Sequence, residues 1–355
     1  MRAWCTISIP KYLEFWTALK ESLQRHTLVM AVVKANGYGL GSVPLAQAAE
    51  AAGLVDWFGV ATVDEAIELR ENQIQRPILI LSEPDPDEID RALSHTLHFV
   101  SYTPDFLTEL GGRATALGTV ANVHLKIDTG MNRLGCDPSE AAVIVARILD
   151  NPSLKLTGIM THLACADIPE HPLNNHQIHQ FKTVTDSLNL PQDVIRHAAN
   201  SAGTHFFPTA HFDMVRVGID SYASIVTLHA RVIRVHPITA GESVSYGGSH
   251  IASKATQIAT VSIGYADGVP RSFSGEVLIH GHRCPVISPV CMDLMMVDIG
   301  DLPVAIGDTF TLIGTDASDS ISLQEYADSS HRITYESLTG LGRRITRKVA
   351  LTCTT

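Results

Sequence analysis

No apolar run in this sequence approaches the ~20 residues that a membrane-spanning helix needs, so no membrane partner is expected. The stretch Met1–Pro10 carries no apolar block of signal-peptide length, and a cytoplasmic location is expected. Basic clusters large enough to track a nucleic-acid backbone are missing. No nucleic-acid partner is therefore expected, and the formal net charge of −11 argues for solubility and little else. The cysteines Cys5, Cys136, Cys165, Cys284, Cys291 and Cys353 are scattered, with no Cys-x-x-Cys pair. That pattern excludes a disulfide frame and a zinc site, and it suits a reducing compartment. No solenoid-length repeat, low-complexity tract or long linker interrupts the chain. What remains is 355 residues, 45% of them hydrophobic. That is enough for one large domain and a smaller one, each with a core.

Between Leu28 and Ile219, short apolar runs alternate with helical patterns. The runs are Leu28–Val33, Trp57–Ala61, Pro77–Leu81, Leu97–Ser101, Val120–Ile127, Leu154–Thr161, Asp193–His197 and Asp213–Val217. Helical spacing marks Pro44–Ala52, Val63–Asn72, Asp87–Ser94, Pro104–Leu110 and Ser139–Leu149. Ser42, Thr62, Asp85, Thr103 and Asp137 stand where caps belong. Eight such alternations predict a closed (β/α)8 barrel of the TIM type over residues 10–225, within an α/β fold class. An open, doubly wound sheet is the alternative. After Tyr222 the runs become short, β-branched and separated by Gly and Pro turns. Residues 226–355 therefore read as a mainly antiparallel β domain. Thr6–Ile9 is a lone strand ahead of the barrel, so residues 1–9 are expected to join that second domain.

The first run ends in a single lysine, Lys34, followed by Gly37, Tyr38, Gly39 and Gly41. Glycines let the backbone turn tightly and approach a ligand. An amine at the mouth of an apolar strand is costly to keep charged, which favours its nucleophilic form and suits a Schiff-base lysine. The plainer alternative is a surface lysine in a strand-to-helix turn. The spacing from Gly37 to Ser42 fits neither a dinucleotide fingerprint nor a P-loop.

Barrel sites form beyond the C-terminal ends of strands. Reading those ends gathers Lys34, Tyr38, Lys126, Arg133, His162, His197, Asn200, Ser201 and Arg216 at one mouth. The loops after the seventh and eighth strands are where barrels hold phosphate, and Ser201, Gly203, Gly218 and Ile219 fit that task. A phosphate site opposite a lysine suggests pyridoxal 5'-phosphate. His162 could instead be a core histidine, and Arg216 a structural ion-pair partner. His171, His176 and His179 lack carboxylate or cysteine partners at ligand spacing and read as a solvated helix, so no metal is expected.

Together, these residues resemble the alanine racemase family. The matching motifs are Ala31–Gly39, Lys126–Gly135, His197–Gly203, Arg216–Gly218, Gly264–Gly268 and Val290–Asp293. The resemblance implies an isomerase that interconverts L-alanine and D-alanine by a two-base mechanism and supplies D-alanine for peptidoglycan. It implies that Lys34 holds pyridoxal phosphate as an internal aldimine and is the base on the D face. Tyr265, from the other subunit of a head-to-tail homodimer, would be the base on the L face. Arg216 would bond the pyridine nitrogen, with His197 steadying Arg216 and His162 stacked on the ring. Tyr38, Asn200, Ser201, Gly218 and Ile219 would hold the cofactor. Arg133 and the Met292 amide would hold the substrate carboxylate, and Lys126, often carbamylated in the family, would orient Arg133. Asp293 would support this shell from behind.

There are departures. The family's usual Ala and His of the lysine loop are Gly37 and Leu40 here. Its Leu-Tyr-Gly after the eighth strand is Ser221-Tyr222-Ala223, and Arg343 stands where many members carry a phosphate-binding tyrosine. None touches the two implied bases. The alternatives are racemisation of another small amino acid such as serine, and a non-catalytic pyridoxal-phosphate-binding protein.

Overall fold

The computed structural model describes residues 1–352. Cys353 and the end of the expected second domain lie outside the described residues. Two compact units form. One comprises Leu13–Gly37 and Ser42–Asp220; the other comprises Met1–Tyr12, Tyr38–Gly41 and the chain from Ser221 onward.

The chain opens with strand β1 (Ala3–Ser8). Eight strands of the first unit follow: β2 (Leu28–Val32), β3 (Trp57–Val60), β4 (Ile78–Ile80), β5 (His98–Ser101), β6 (Ala121–Lys126), β7 (Leu154–Met160), β8 (Ile195–His197) and β9 (Met214–Val217). All are parallel and hydrogen-bonded in the order β8-β7-β6-β5-β4-β3-β2-β9. The first strand of the set lies beside the last, which rules out an open doubly wound sheet. The remaining seam, between β8 and β9, has no regular ladder. It is bridged by Asp213 N–H to the Arg196 carbonyl at 2.9 Å and by Arg216 N–H to the Ala199 carbonyl at 3.0 Å. The result is a nearly closed (β/α)8 barrel.

Local chemistry sets most helix starts. Thr62 and Glu65 form a reciprocal capping box for Val63–Glu71. Thr103 caps Pro104–Ala116, whose first residue lacks the N–H that would otherwise be orphaned. Three expected caps differ, among them Asp85, which precedes the 3-10 turn Pro86–Glu88 and makes no side-chain capping bond. Ser42 lies inside its helix and donates its N–H to Asn36 Oδ1 at 3.0 Å. Asp137 instead folds back on Ser139, accepting its N–H at 2.8 Å, and the helix starts at Ala141. Helix Ile9–Ser22 was not picked out by the apolar runs.

Met30, Trp57, Leu79, Val100, Met160 and Met214 pack together as a core layer within the barrel. Side chains two residues apart share a strand face. Arg216 therefore stands on the face of Met214, nearer the C-terminal end.

In the second unit, β10 (Val226–Ile238) is the organising strand. It pairs antiparallel with β1, with Thr256–Val261 and with Thr309–Asp316. Glu276–Ile279, His282–Ile287 and Met295–Gly300 complete an antiparallel array. One pairing is parallel, that of β1 with Thr346–Ala350. The unit is mainly antiparallel, as expected. Among the described residues, no helix is long and apolar enough to cross a membrane.

Candidate active site

Lys34 directly follows the buried strand β2. The next four residues all adopt left-handed backbone: Ala35 (φ 53°), Asn36 (φ 52°), Gly37 (φ 58°) and Tyr38 (φ 55°). Such backbone costs a non-glycine residue about 1–2 kcal/mol, and strain of this kind collects at functional sites. The turn is held by Gly37 N–H to the Val33 carbonyl at 2.8 Å and by Ala35 N–H to Glu65 Oε1 at 2.6 Å. The Lys34 side chain is open to solvent at the rim. The protein around its amine, and then the charge of Arg133, push its pKa below the ordinary lysine value, with Glu65 opposing.

Arg216 is buried, with 4% of its surface exposed. Its guanidinium donates to His197 Nδ1 at 3.1 Å, to the Thr161 carbonyl at 2.9 Å, to the Ala198 carbonyl at 3.1 Å and to His162 Nδ1 at 3.3 Å. Among the described residues no carboxylate pairs with it. Burial lowers its pKa to about 9, so it still carries charge at neutral pH. A guanidinium has five donors and no acceptor. Its Nε–H and one Nη1–H remain without partners among the described residues.

Because Arg216 can only donate, His197 Nδ1 must accept, and its proton sits on Nε2. That nitrogen lies 2.9 Å from His124 Nδ1, so His124 is an acceptor there too. Burial first, then Arg216 for His197 and His98 ahead of Arg216 for His124, holds both imidazoles well below the usual histidine pKa. Burial, then the charges of Arg216, Arg133, Lys126 and Lys34, does the same to His162. His124 escaped the sequence reading. The available signal was a histidine inside an apolar run, two residues before Lys126 and so on the same strand face. Its ring fits because Gly158 sits across the strand pair: a Cβ there would lie 2.3 Å from His124 Nδ1.

Lys126, 5% exposed, ends β6. Burial, then the charges of Arg216 and Arg133, lower its pKa to about 8. The loop beyond it is organised by Asp128. Its carboxylate accepts the N–H groups of Gly130 at 2.8 Å, Asn132 at 3.0 Å and Arg133 at 3.2 Å, leaving the Arg133 side chain exposed. Gly135 is required for this path, since a Cβ there would lie 2.5 Å from the Asp128 nitrogen.

Beyond β8, Asn200 caps the helix Ser201–Phe206 through its side chain, which accepts Gly203 N–H at 2.8 Å. Ser201 Oγ accepts Gly218 N–H at 2.9 Å. Ile219 follows directly. His171, His176 and His179 are exposed, and no metal-ligating cluster exists among the described residues.

In the second unit, Tyr38 is buried and packs against Tyr222 and Tyr335, with ring centroids 4.7 and 5.9 Å apart. Tyr265, 40% exposed, opens a short turn, and Met292 is 53% exposed. Asp293 accepts from Arg344 Nη1 at 2.7 Å. Arg343 is exposed and makes no hydrogen bond or ion pair among the described residues.

Residues 12–225 match the model of the alanine racemase N-terminal domain, and residues 225–349 match that of the alanine racemase C-terminal domain. The chain belongs to the alanine racemase family. It is 40% identical to an alanine racemase of Symbiobacterium thermophilum, over 90% of this chain and 89% of that protein. It is 36% identical to one of Desulfosudis oleivorans, over 97% and 96%. Among solved structures, alanine racemase from E. faecalis superposes with a TM-score of 0.94 at 33% identity, covering 98% of each chain. The enzyme from Streptomyces lavendulae gives 0.92 at 31% identity, covering 99% and 98%.

Within this alanine racemase family member, the first unit brings Lys34, Lys126, Arg133, His162, Ser201, Arg216, Gly218 and Ile219 to the C-terminal ends of the barrel strands. Tyr38, Tyr265, Met292 and Asp293 belong to the other unit. Sequence reasoning missed Glu65, which ties the Lys34 turn, along with His124 and Gly158.

Proposed function

We propose that the protein interconverts L-alanine and D-alanine with pyridoxal 5'-phosphate as cofactor and so supplies D-alanine for peptidoglycan. The observation that carries this reading is a strand-end amine, Lys34, with a lowered pKa, sharing a barrel mouth with the buried guanidinium of Arg216, which has no carboxylate partner among the described residues, in a chain of this family.

The donor set fits the cofactor. Four basic groups, Lys34, Lys126, Arg133 and Arg216, gather there, with Glu65 acting on Lys34 and Asp128 on Lys126, so the mouth suits a ligand carrying phosphate and carboxylate. Lys34 supplies the amine for an aldehyde. Ser201, Gly218 and Ile219 supply a hydroxyl and amides for a phosphate, with Tyr38 as a further phosphate ligand. Asn200, occupied as a cap, would hold that helix end in place. Lys34 would hold pyridoxal phosphate, which would supply an electron sink that acidifies the α-proton of a bound amino acid.

The chain's own residues then do the rest. Arg216, a pure donor, would hold the ring nitrogen as an acceptor, locked in place by His197. His162, kept neutral, would lie along the ring. Arg133 and the Met292 amide would grip the substrate carboxylate, with Arg133 oriented by Lys126, whose lowered pKa favours reaction with carbon dioxide. Lys34 would move the proton on the D face and Tyr265, from the partner subunit, on the L face. Two bases on opposite faces are what inversion requires.

Subunit mixing tests this. Lys34→Ala and Tyr265→Phe should each be nearly inactive, yet a refolded mixture should recover about a quarter of wild-type alanine racemisation. Half of the dimers are then mixed, and one of their two sites is intact. A mixture as inactive as its parts would place both bases in one subunit.

A further inference from the structure

The Tyr265 phenol makes no hydrogen bond among the described residues, and its ring is largely open. Its position is therefore set by its backbone. Tyr265 N–H donates to the Cys291 carbonyl at 3.0 Å, and Ala266 N–H to the Met292 carbonyl at 2.9 Å. The two segments cross so closely that a Cβ on Gly264 would lie 2.4 Å from both carbonyl oxygens.

At the centre of this crossing is Asp267, 1% exposed. Its Oδ2 accepts Gly264 N–H at 2.9 Å and Arg2 Nη2 at 3.2 Å. Its Oδ1 accepts Arg344 Nε at 2.9 Å. The same two arginines reach on to Asp293. Arg344 Nη1 donates to its carboxylate at 2.7 Å, and Arg2 donates to its carbonyl. One buried carboxylate thus joins the Tyr265 turn to the Met292–Asp293 loop through two cations. Charge-assisted bonds of this kind are short and directional. Removing one member leaves a buried charge without its partner.

We propose that Asp267 is a positioning residue for the reaction. With Arg344 and Arg2, it delivers the Tyr265 phenol and the Met292 amide as a single rigid piece. The inference rests on the two-base reading given above.

Proton exchange separates the two faces. In deuterated water, Lys34 takes the α-proton of D-alanine, exchanges it with solvent, and returns a deuteron to the same face. That cycle makes α-deuterated D-alanine without inversion and needs no Tyr265. Exchange from L-alanine, and racemisation in either direction, need the phenol in place. Misplacing a reacting group by an ångström can cost about 100-fold. Asp267→Asn keeps an oxygen for Gly264 N–H but loses the charge. It should lower L-alanine exchange and racemisation about 100-fold, while D-alanine exchange, read at saturating alanine because the Met292 amide serves both enantiomers, falls less than about 3-fold. Arg344→Gln alters a side chain that is 46% exposed and so threatens folding less. It should show the same asymmetry at about 10-fold.

Equal losses on both faces, or no loss, in the folded Arg344→Gln enzyme would overturn the proposal whatever Asp267→Asn does. Tyr265→Phe is the control. If it shows no asymmetry, the two-base reading fails. If it does and the Asp267 and Arg344 variants do not, only the positioning role fails.

Discussion

Lys34→Ala folds, takes up no pyridoxal phosphate that borohydride can fix to the chain, and loses alanine racemisation by at least about 10⁴-fold. A positioned proton-transfer group alone is worth about 10²–10⁴-fold, and this residue would also anchor the cofactor. Folding should survive, because the side chain is exposed at the rim and the turn after it is held by other groups. Gly37 N–H bonds Val33, and Ala35 N–H bonds Glu65. The check is the visible spectrum after reconstitution, with the racemisation rate measured on the same sample. A variant that keeps a fixable yellow chromophore would show that a different amine carries the cofactor.

Gly158→Val attacks stability instead. The new Cβ would lie 2.3 Å from His124 Nδ1, 2.5 Å from Cε1 and 2.7 Å from Cγ. The ring cannot swing clear. It is packed edge-on by Trp57 at 5.2 Å and His197 at 5.1 Å, with His98 at 5.8 Å. Overpacking of a closed core costs typically about 1–3 kcal/mol, and contacts this close put the cost at about 3 kcal/mol. For a unit of this size that corresponds to a fall in Tm of roughly 6–12 °C. Adding His124→Ala removes the clash and should restore part of the loss, a coupling that only neighbouring residues show. A Tm within about 2 °C of wild type would mean that the barrel interior yields more than its packing suggests.

These two sites differ in how much of them could be read beforehand. The barrel strands were legible because a strand buried on both faces is a continuous apolar run, and a lysine or arginine ending such a run stands out. That alone singled out Lys34 and Arg216. Thr62 and Thr103 were legible as caps because capping is local. Asp137 was not, since the same carboxylate can satisfy Ser139 instead. His124, Gly158 and Glu65 depend on which strand or loop lies opposite, and register is invisible without the partner strand. Asp267 stood only within the motif Gly264–Gly268, because its two arginines come from residues 2 and 344, far apart in the chain.

The pair His124 and His197 also sets a limit on the conditions this protein tolerates. Inside the barrel both stay uncharged to well below pH 6.5, whereas in the unfolded chain both take up protons near that value. Below pH 6.5 these two side chains therefore make the unfolded state bind more protons than the native one, and His98 and His162, also lowered, act in the same sense. Acidification then favours unfolding. The acid edge of the stability profile, measurable by denaturant titration across pH 4–7, is thus written into the centre of the barrel rather than its surface.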